Sequence, residues 1–174
     1  RRHRRTAGHH APPDEPVYPA VLLGTDMAGP FELAGAYATF ATAGRPSDVH
    51  TVRRILAADG TVLYDAASRP PRPGRVLDAG IAVQIRSALE QAICCGTGTQ
   101  AALGGDVAQF GQTGTTLGGQ PAWFAGSTPD LTTVVWTGAH EGTDGLLSGG
   151  GLPAQVWRSY MGQAADATGQ EFPD

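Results

Sequence analysis

The 174-residue chain contains no lysine and no asparagine; all 12 of its basic residues are arginine. No chemistry that needs a side-chain amine, or the amide of an asparagine, can therefore be built from it. Cysteine is nearly absent too. Cys94 and Cys95 are adjacent, a geometry poorly suited to bonding with each other, and neither has a Cys or His at metal-ligand spacing. They are read as packing residues at a helix end. There is no run of about 18 apolar residues, no starting methionine and no apolar h-region. The expectation is no membrane segment and no signal or anchor in this chain. Setting aside Arg1, Arg2, Arg4 and Arg5 leaves 8 arginines against 16 acids, a body charge of −8. A body this acidic argues against nucleic acid as a partner, because phosphate neutralisation dominates such binding.

What is present fits one domain of ordinary size, 41% apolar and rich in glycine, with 25. Residues 1–16 combine RRHRR with Pro12, Pro13 and Pro16 and show no periodicity, so they read as a disordered leader. In PFELAGAYATFATAG, Leu33, Ala36, Tyr37 and Phe40 fall at i, i+3, i+4 and i+7, with Pro30 at the start and Gly44 past the end: a helix. The runs VHTVRRIL and TVLYD flank Ala58-Asp59-Gly60 and read as a hairpin. SRPPRPGR, over 68–75, is an extended linker. A second helix starts at Asp78 as N-cap, with an apolar stripe of Ile81, Ile85, Leu89 and Ile93. Strands follow in FGQTGTT, AWFAGST and LTTVVWTG, the last two joined at Pro129-Asp130. A Gly-rich polar loop over 138–151 leads to a helix with Val156, Trp157, Tyr160, Met161 and Ala164 on one face. Three strands with short turns must be antiparallel. The fold class is α+β, an antiparallel sheet with flanking helices.

Several chemical motifs fail on context. Gly96-Thr97-Gly98-Thr99-Gln100-Ala101 matches a dinucleotide fingerprint but follows a helix rather than a strand. GDVAQFGQT has five residues between its glycines and Gln112 where a phosphate loop needs lysine. His140, Glu141 and Asp144 read as a solvated acidic turn, and no metal or cofactor is expected. None of the six serines stands in a nucleophile-elbow setting. The informative stretch is Phe110 to Gly126, where Gln112-Thr113-Gly114-Thr115 sets hydroxyls and a bare glycine along one edge. A ligand backbone can approach such an edge closely.

That stretch, with AWFAGSTPDLTTVVWTG and GGGLPAQVWRSYM, resembles the C-terminal part of the transpeptidase domain of class A penicillin-binding proteins. There the strand reads Lys-Thr-Gly-Thr-Thr and a terminal helix reads L-P-A-x-x-W. The resemblance extends upstream through LGTDMAGPFELAGAYATFATAG, ILAADGTVLYD, VLDAGIAVQIRSALEQAI and GTGTQAA, covering roughly residues 20–162. It implies a partial penicillin-binding transpeptidase fold, β-lactamase-like, over residues 17–165, with a disordered tail at 166–174. It implies an extracytoplasmic, cell-envelope location and a peptidoglycan stem peptide or β-lactam as ligand. Gln112, Thr113, Gly114 and Thr115 would be substrate-binding: the Thr113 and Thr115 hydroxyls would hold the substrate carboxylate, and the Thr115 N–H would be one arm of an oxyanion hole.

The departures from the family decide what activity to expect. The Ser-x-x-Lys and Ser-x-Asn motifs of the family cannot occur in a chain without lysine and asparagine, so no residue here is read as catalytic. Gln112 replaces the strand lysine and removes a positive charge. The expectation is a transpeptidase-domain fragment, related to D,D-transpeptidation but inactive alone, whose partner is the transpeptidase half missing upstream. A non-catalytic module binding cell-wall peptide or a partner, or a gene remnant, are the alternatives.

Overall fold

The computed structural model describes residues 19, 28–70, 74–115, 121–138, 147–165 and 169–174. The expected leader over 1–16, the acidic turn at His140 and the glycine-rich turn after Thr115 lie outside the described residues. Among the described residues are three α-helices, α1 (Pro30–Ala41), α2 (Ala79–Cys94) and α3 (Leu152–Ala164), a two-stranded hairpin of β1 (Arg54–Leu56) and β2 (Val62–Asp65), and a sheet of β3 (Phe110–Thr115), β4 (Ala122–Ser127) and β5 (Thr132–Thr137). The sheet order is β3-β4-β5, antiparallel throughout. This is the α+β arrangement that the alternation of periods implies.

Local chemistry sets the element ends. Pro30 opens α1, and the Glu32 carboxylate accepts the Gly29 N–H at 3.1 Å, relieving one unpaired donor of the first turn. Gly44 closes the helix with φ +85°, its N–H bonding the Thr39 carbonyl at 2.8 Å. A Cβ there would lie 2.1 Å from the Leu77 carbonyl oxygen, so only glycine fits. In the hairpin, Gly60 also has positive φ, and the Asp59 carboxylate accepts the Thr61 N–H at 2.9 Å. Asp78 caps α2 by accepting from Gly80 and Ile81.

The core lies between α3 and one face of the sheet. Ile93, Ala101, Phe124, Ala154, Trp157 and Met161 form its buried cluster. Trp157 packs on Phe124 with ring centroids 5.2 Å apart and donates its indole N–H to the Thr133 carbonyl at 3.2 Å. On the opposite face Phe110 is buried against Tyr37 of α1, at 6.4 Å, and Phe172, at 5.1 Å.

Four expectations need correction. The buried stripe of α2 is Ala82, Arg86 and Ile93, while Ile81 is exposed. On α3, Pro153, Ala154, Trp157 and Met161 are buried, but Val156 and Tyr160 are exposed. In both helices the contact face is rotated by about one residue from the apolar stripe, because small residues let the helix sit close. The C-terminal residues 169–174 do not behave as a free tail. Arg86 donates to the Pro173 carbonyl at 2.9 Å and lies 4.9 Å from the centre of the Phe172 ring. A guanidinium over an aromatic face explains how an arginine can be buried there. Finally, Cys94 and Cys95 are joined by a disulfide and are exposed rather than packed. Cys95 lies just past the helix at φ −142°, ψ 0°, which turns its side chain away from the helical course.

Burial beside Phe110 pushes the Tyr37 phenol up to about 12 from its ordinary 10. The folded chain then keeps this proton where the unfolded chain has lost it. The stabilising difference is fully present below pH 10 and is lost as pH rises through 12. Denaturant unfolding should show a decline on the order of 2 kcal/mol across that window, and Tyr37→Phe should flatten most of it. An equal decline in the variant would rule Tyr37 out as the source.

Candidate substrate-binding edge

Strand β3 is an outer strand of its sheet, and its side chains alternate between two environments. Pairing of Thr113 with Phe124 places Thr113 and Thr115 on the α3 face, and pairing of Gly114 with Trp123 places Gln112 and Gly114 on the other. Phe110 and Gly111 are buried and anchor the strand; Gln112 and Thr115 are exposed at its open end. The amide oxygen of Gln112 accepts the N–H of Thr113 at 3.0 Å. That N–H therefore points away from β4. Antiparallel pairing alternates donors between the two sides of a strand, so the N–H of Thr115 points outward as well.

The hydroxyls of the edge are also held. Thr113 Oγ1 lies 2.6 Å from Thr97 Oγ1, and Thr115 Oγ1 accepts the N–H of Gly149 at 3.1 Å. Gly149 belongs to the loop that enters α3, and it passes directly over the Gly114–Trp123 backbone pair. A Cβ on Gly149 would lie 2.5 Å from the Trp123 carbonyl oxygen and 2.7 Å from both N and O of Gly114. A Cβ on Gly150 would lie 2.3 Å from the Thr97 carbonyl oxygen. The two glycines thus wedge between β3 and the turn carrying Thr97. On the far face, a Cβ on Gly114 would meet Trp123 Cβ at 3.3 Å. Trp123 and Trp136 stack edge to face there, 6.2 Å apart.

Chemically this edge offers outward backbone donors, three hydroxyls and no charge of its own. The four residues singled out from the sequence, Gln112, Thr113, Gly114 and Thr115, are contiguous on it. Thr97, Gly149 and Gly150 were not foreseen. Thr97 sits in a glycine-flanked turn right after a helix, and Gly149 opens the triplet before Leu152-Pro153; that run of three glycines was the only available signal. Ser127 is buried, bonded to the Leu131 carbonyl and to the Thr132 hydroxyl, and Ser68 donates to the Asp65 carbonyl. Among the described residues there is no cluster of His, Cys, Asp and Glu able to hold a metal, and no helix is long and apolar enough to cross a membrane.

The chain is 31% identical to penicillin-binding protein 1A of Mycobacterium tuberculosis in an alignment that covers 95% of this chain and 21% of that protein. It is 33% identical to penicillin-binding protein 1F of Bacillus subtilis, over 92% of this chain and 23% of that one. Its structure matches the penicillin-binding protein PonA1 from Mycobacterium tuberculosis with a TM-score of 0.81 and 30% identity, covering 92% of this chain and 45% of that chain. This chain is homologous to the transpeptidase region of class A penicillin-binding proteins. The PonA1 structure in complex with penicillin V matches with a TM-score of 0.78. No family model matches the sequence. The chain spans about a fifth of the length of the curated relatives it matches. Within that fifth, the partial penicillin-binding transpeptidase fold is the one observed.

The Gly149 wedge has a direct consequence. Replacing Gly149 by Ala puts a methyl against three backbone atoms that cannot swing aside, and should cost roughly 1–3 kcal/mol of stability. Gly104, where an added Cβ meets nothing within 4 Å, serves as the control, and Gly104→Ala should stay within about 0.5 kcal/mol. Thermal unfolding of the two variants compares them; equal effects would show that the wedge does not bear on the edge.

Proposed function

We propose that this chain supplies the substrate-binding wall of a penicillin-binding transpeptidase domain and does not carry out acyl transfer by itself. The observation behind this reading is the β3 edge: outward N–H groups and ordered hydroxyls at Thr113 and Thr115, in a chain that lacks lysine and asparagine altogether. An extended peptide can add to such an edge through main-chain hydrogen bonds. Its terminal carboxylate would take its bonds from the threonine hydroxyls. The ligand class is the D-alanine-ending stem peptide of peptidoglycan, or a β-lactam that imitates it. The complementary part of the domain, with nucleophile and base, is the partner this reading requires, and the setting is extracytoplasmic, at the cell envelope.

Affinity should be low because Gln112 stands where the family places lysine. A hydrogen bond to a charged group contributes about 1.5–3 kcal/mol against about 1 for a neutral pair. Gln112 also occupies the Thr113 N–H with its own amide oxygen, so an incoming carbonyl has to displace it. Both effects point the same way.

A reading as a non-catalytic peptide-binding module shares the same geometry. It is favoured by the order of the edge, which is complete without any residue from outside the chain. The experiment has two arms. Incubation with a fluorescent penicillin should leave no covalent adduct by intact mass; a serine adduct would overturn the non-catalytic assignment. Calorimetric titration with a D-Ala-D-Ala-ending peptide should show binding in the millimolar range. Thr115→Val should weaken it roughly tenfold or more, and Gln112→Lys should strengthen it roughly tenfold. No binding at millimolar peptide, or binding indifferent to Thr115, would sink the proposal.

A further inference from the structure

Thr97 lies outside the strand, in the turn after α2, yet its hydroxyl is 2.6 Å from that of Thr113. Both residues are solvent-accessible, so neither hydroxyl needs this bond to compensate for burial. The turn itself holds the hydroxyl in place. Gly98 donates to the Ala92 carbonyl at 2.8 Å, closing the end of α2. A Cβ on Gly96 would sit 2.9 Å from Ala92 Cα, and Gly150 abuts the Thr97 carbonyl from the other side. Backbone contacts on both flanks thus present Thr97 to the strand.

We infer that Thr97 is a positioning residue of the anion-binding edge, directing the Thr113 hydroxyl proton toward the ligand carboxylate; this rests on the reading of β3 as a peptide-carboxylate site. The chemistry is a matter of proton count. A threonine hydroxyl has one proton to donate and two lone pairs to accept with. When Thr97 donates to Thr113, the Thr113 proton is released to point outward, and the accepted bond polarises it toward a stronger donation. Thr115 is in the same state, since its oxygen accepts the Gly149 N–H and its own proton is not used in that bond. Two residues apart on one face, the two threonines then present a pair of O–H donors roughly 7 Å apart along the strand. Such a pair selects for an acceptor-only group such as a carboxylate. An amide, which brings donors of its own, meets donors in part and gains less.

The test compares a D-Ala-D-Ala-ending peptide with the same peptide carrying a C-terminal amide, by calorimetric titration of the full 174-residue chain. The unaltered chain should prefer the acid. Thr97→Val should weaken acid binding roughly tenfold while weakening amide binding far less, so that the preference collapses. Thr97→Ser keeps the hydroxyl and should restore it. Amide binding monitors folding within the same variants. A Thr97→Val chain that still prefers the acid overturns the assignment, as does one that loses acid and amide together. Thr115→Val separates the two levels: if it abolishes the preference and Thr97→Val does not, only Thr97 is wrongly assigned. If the unaltered chain shows no preference for the acid, the reading of the edge falls, and the role of Thr97 with it.

Discussion

The seating of Trp157 against the sheet is the interaction on which the other features depend. Its ring packs on Phe124 of the central strand, its indole N–H is satisfied by the Thr133 carbonyl of β5, and its edge lies 3.0 Å from where a Cβ on Gly126 would be. One side chain therefore ties α3 to the central strand β4 and to β5 beside it. Because α3 is fixed, its entry loop is fixed, and Gly149 and Gly150 arrive over β3 rather than beside it. The order of the candidate site is thus inherited from the core. A sheet of three strands has little else to lock its outermost member. Packing at one end replaces the ladder that a fourth strand would supply.

At the edge itself, the positioning agents are backbone atoms and hydroxyls, with no charged group. This contrasts with the lysine-bearing strand that the family resemblance leads one to expect. A fixed positive charge attracts an anion over several ångströms and tolerates imprecise geometry. Hydroxyl donors act only at contact distance and are sensitive to their orientation. With Gln112 neutral, the carboxylate specificity proposed for this edge would have to come from where protons point. That requirement is what gives the Thr97–Thr113 contact its interest, and the glycine wedge its purpose. The neutral edge is also self-limiting, since the Gln112 amide already fills the Thr113 N–H.

Much of this was readable in the sequence where a residue type has only one local use. Asp78 as N-cap, Gly44 as helix stop, Asp59-Gly60 as hairpin turn and the paired strands after Phe110 all follow from such rules, while the family is legible only as a resemblance over the whole run of motifs. What escaped is of another kind. Period-based stripes placed Ile81 and Tyr160 inside, but helix faces here are set by how closely Ala82 and Ala154 allow approach. Arg86 could not be read as buried without knowing that Phe172 returns to cover it. Thr97 was passed over because a turn between helix and strand carries no periodicity. Its proximity to Thr113 is a tertiary fact, created by the wedge of Gly149 and Gly150.

The β1–β2 hairpin differs from the sheet in leaving its apolar side chains exposed. On the β1–β2 hairpin, Ile55, Leu56, Val62 and Leu63 are 46–66% exposed, although strands rich in such residues normally bury one face. The two strands pair antiparallel with one register irregularity between Ile55 and Leu56, and Arg54 forms an ion pair with Asp65, so the strands are formed and their apolar side chains exposed. Exposed apolar residues that cluster on one element mark an interaction surface more readily than scattered ones. The homologous proteins are about five times longer than the matching stretch. The contacts that order the β3 edge lie within the chain, while the apolar side chains of the hairpin are left exposed.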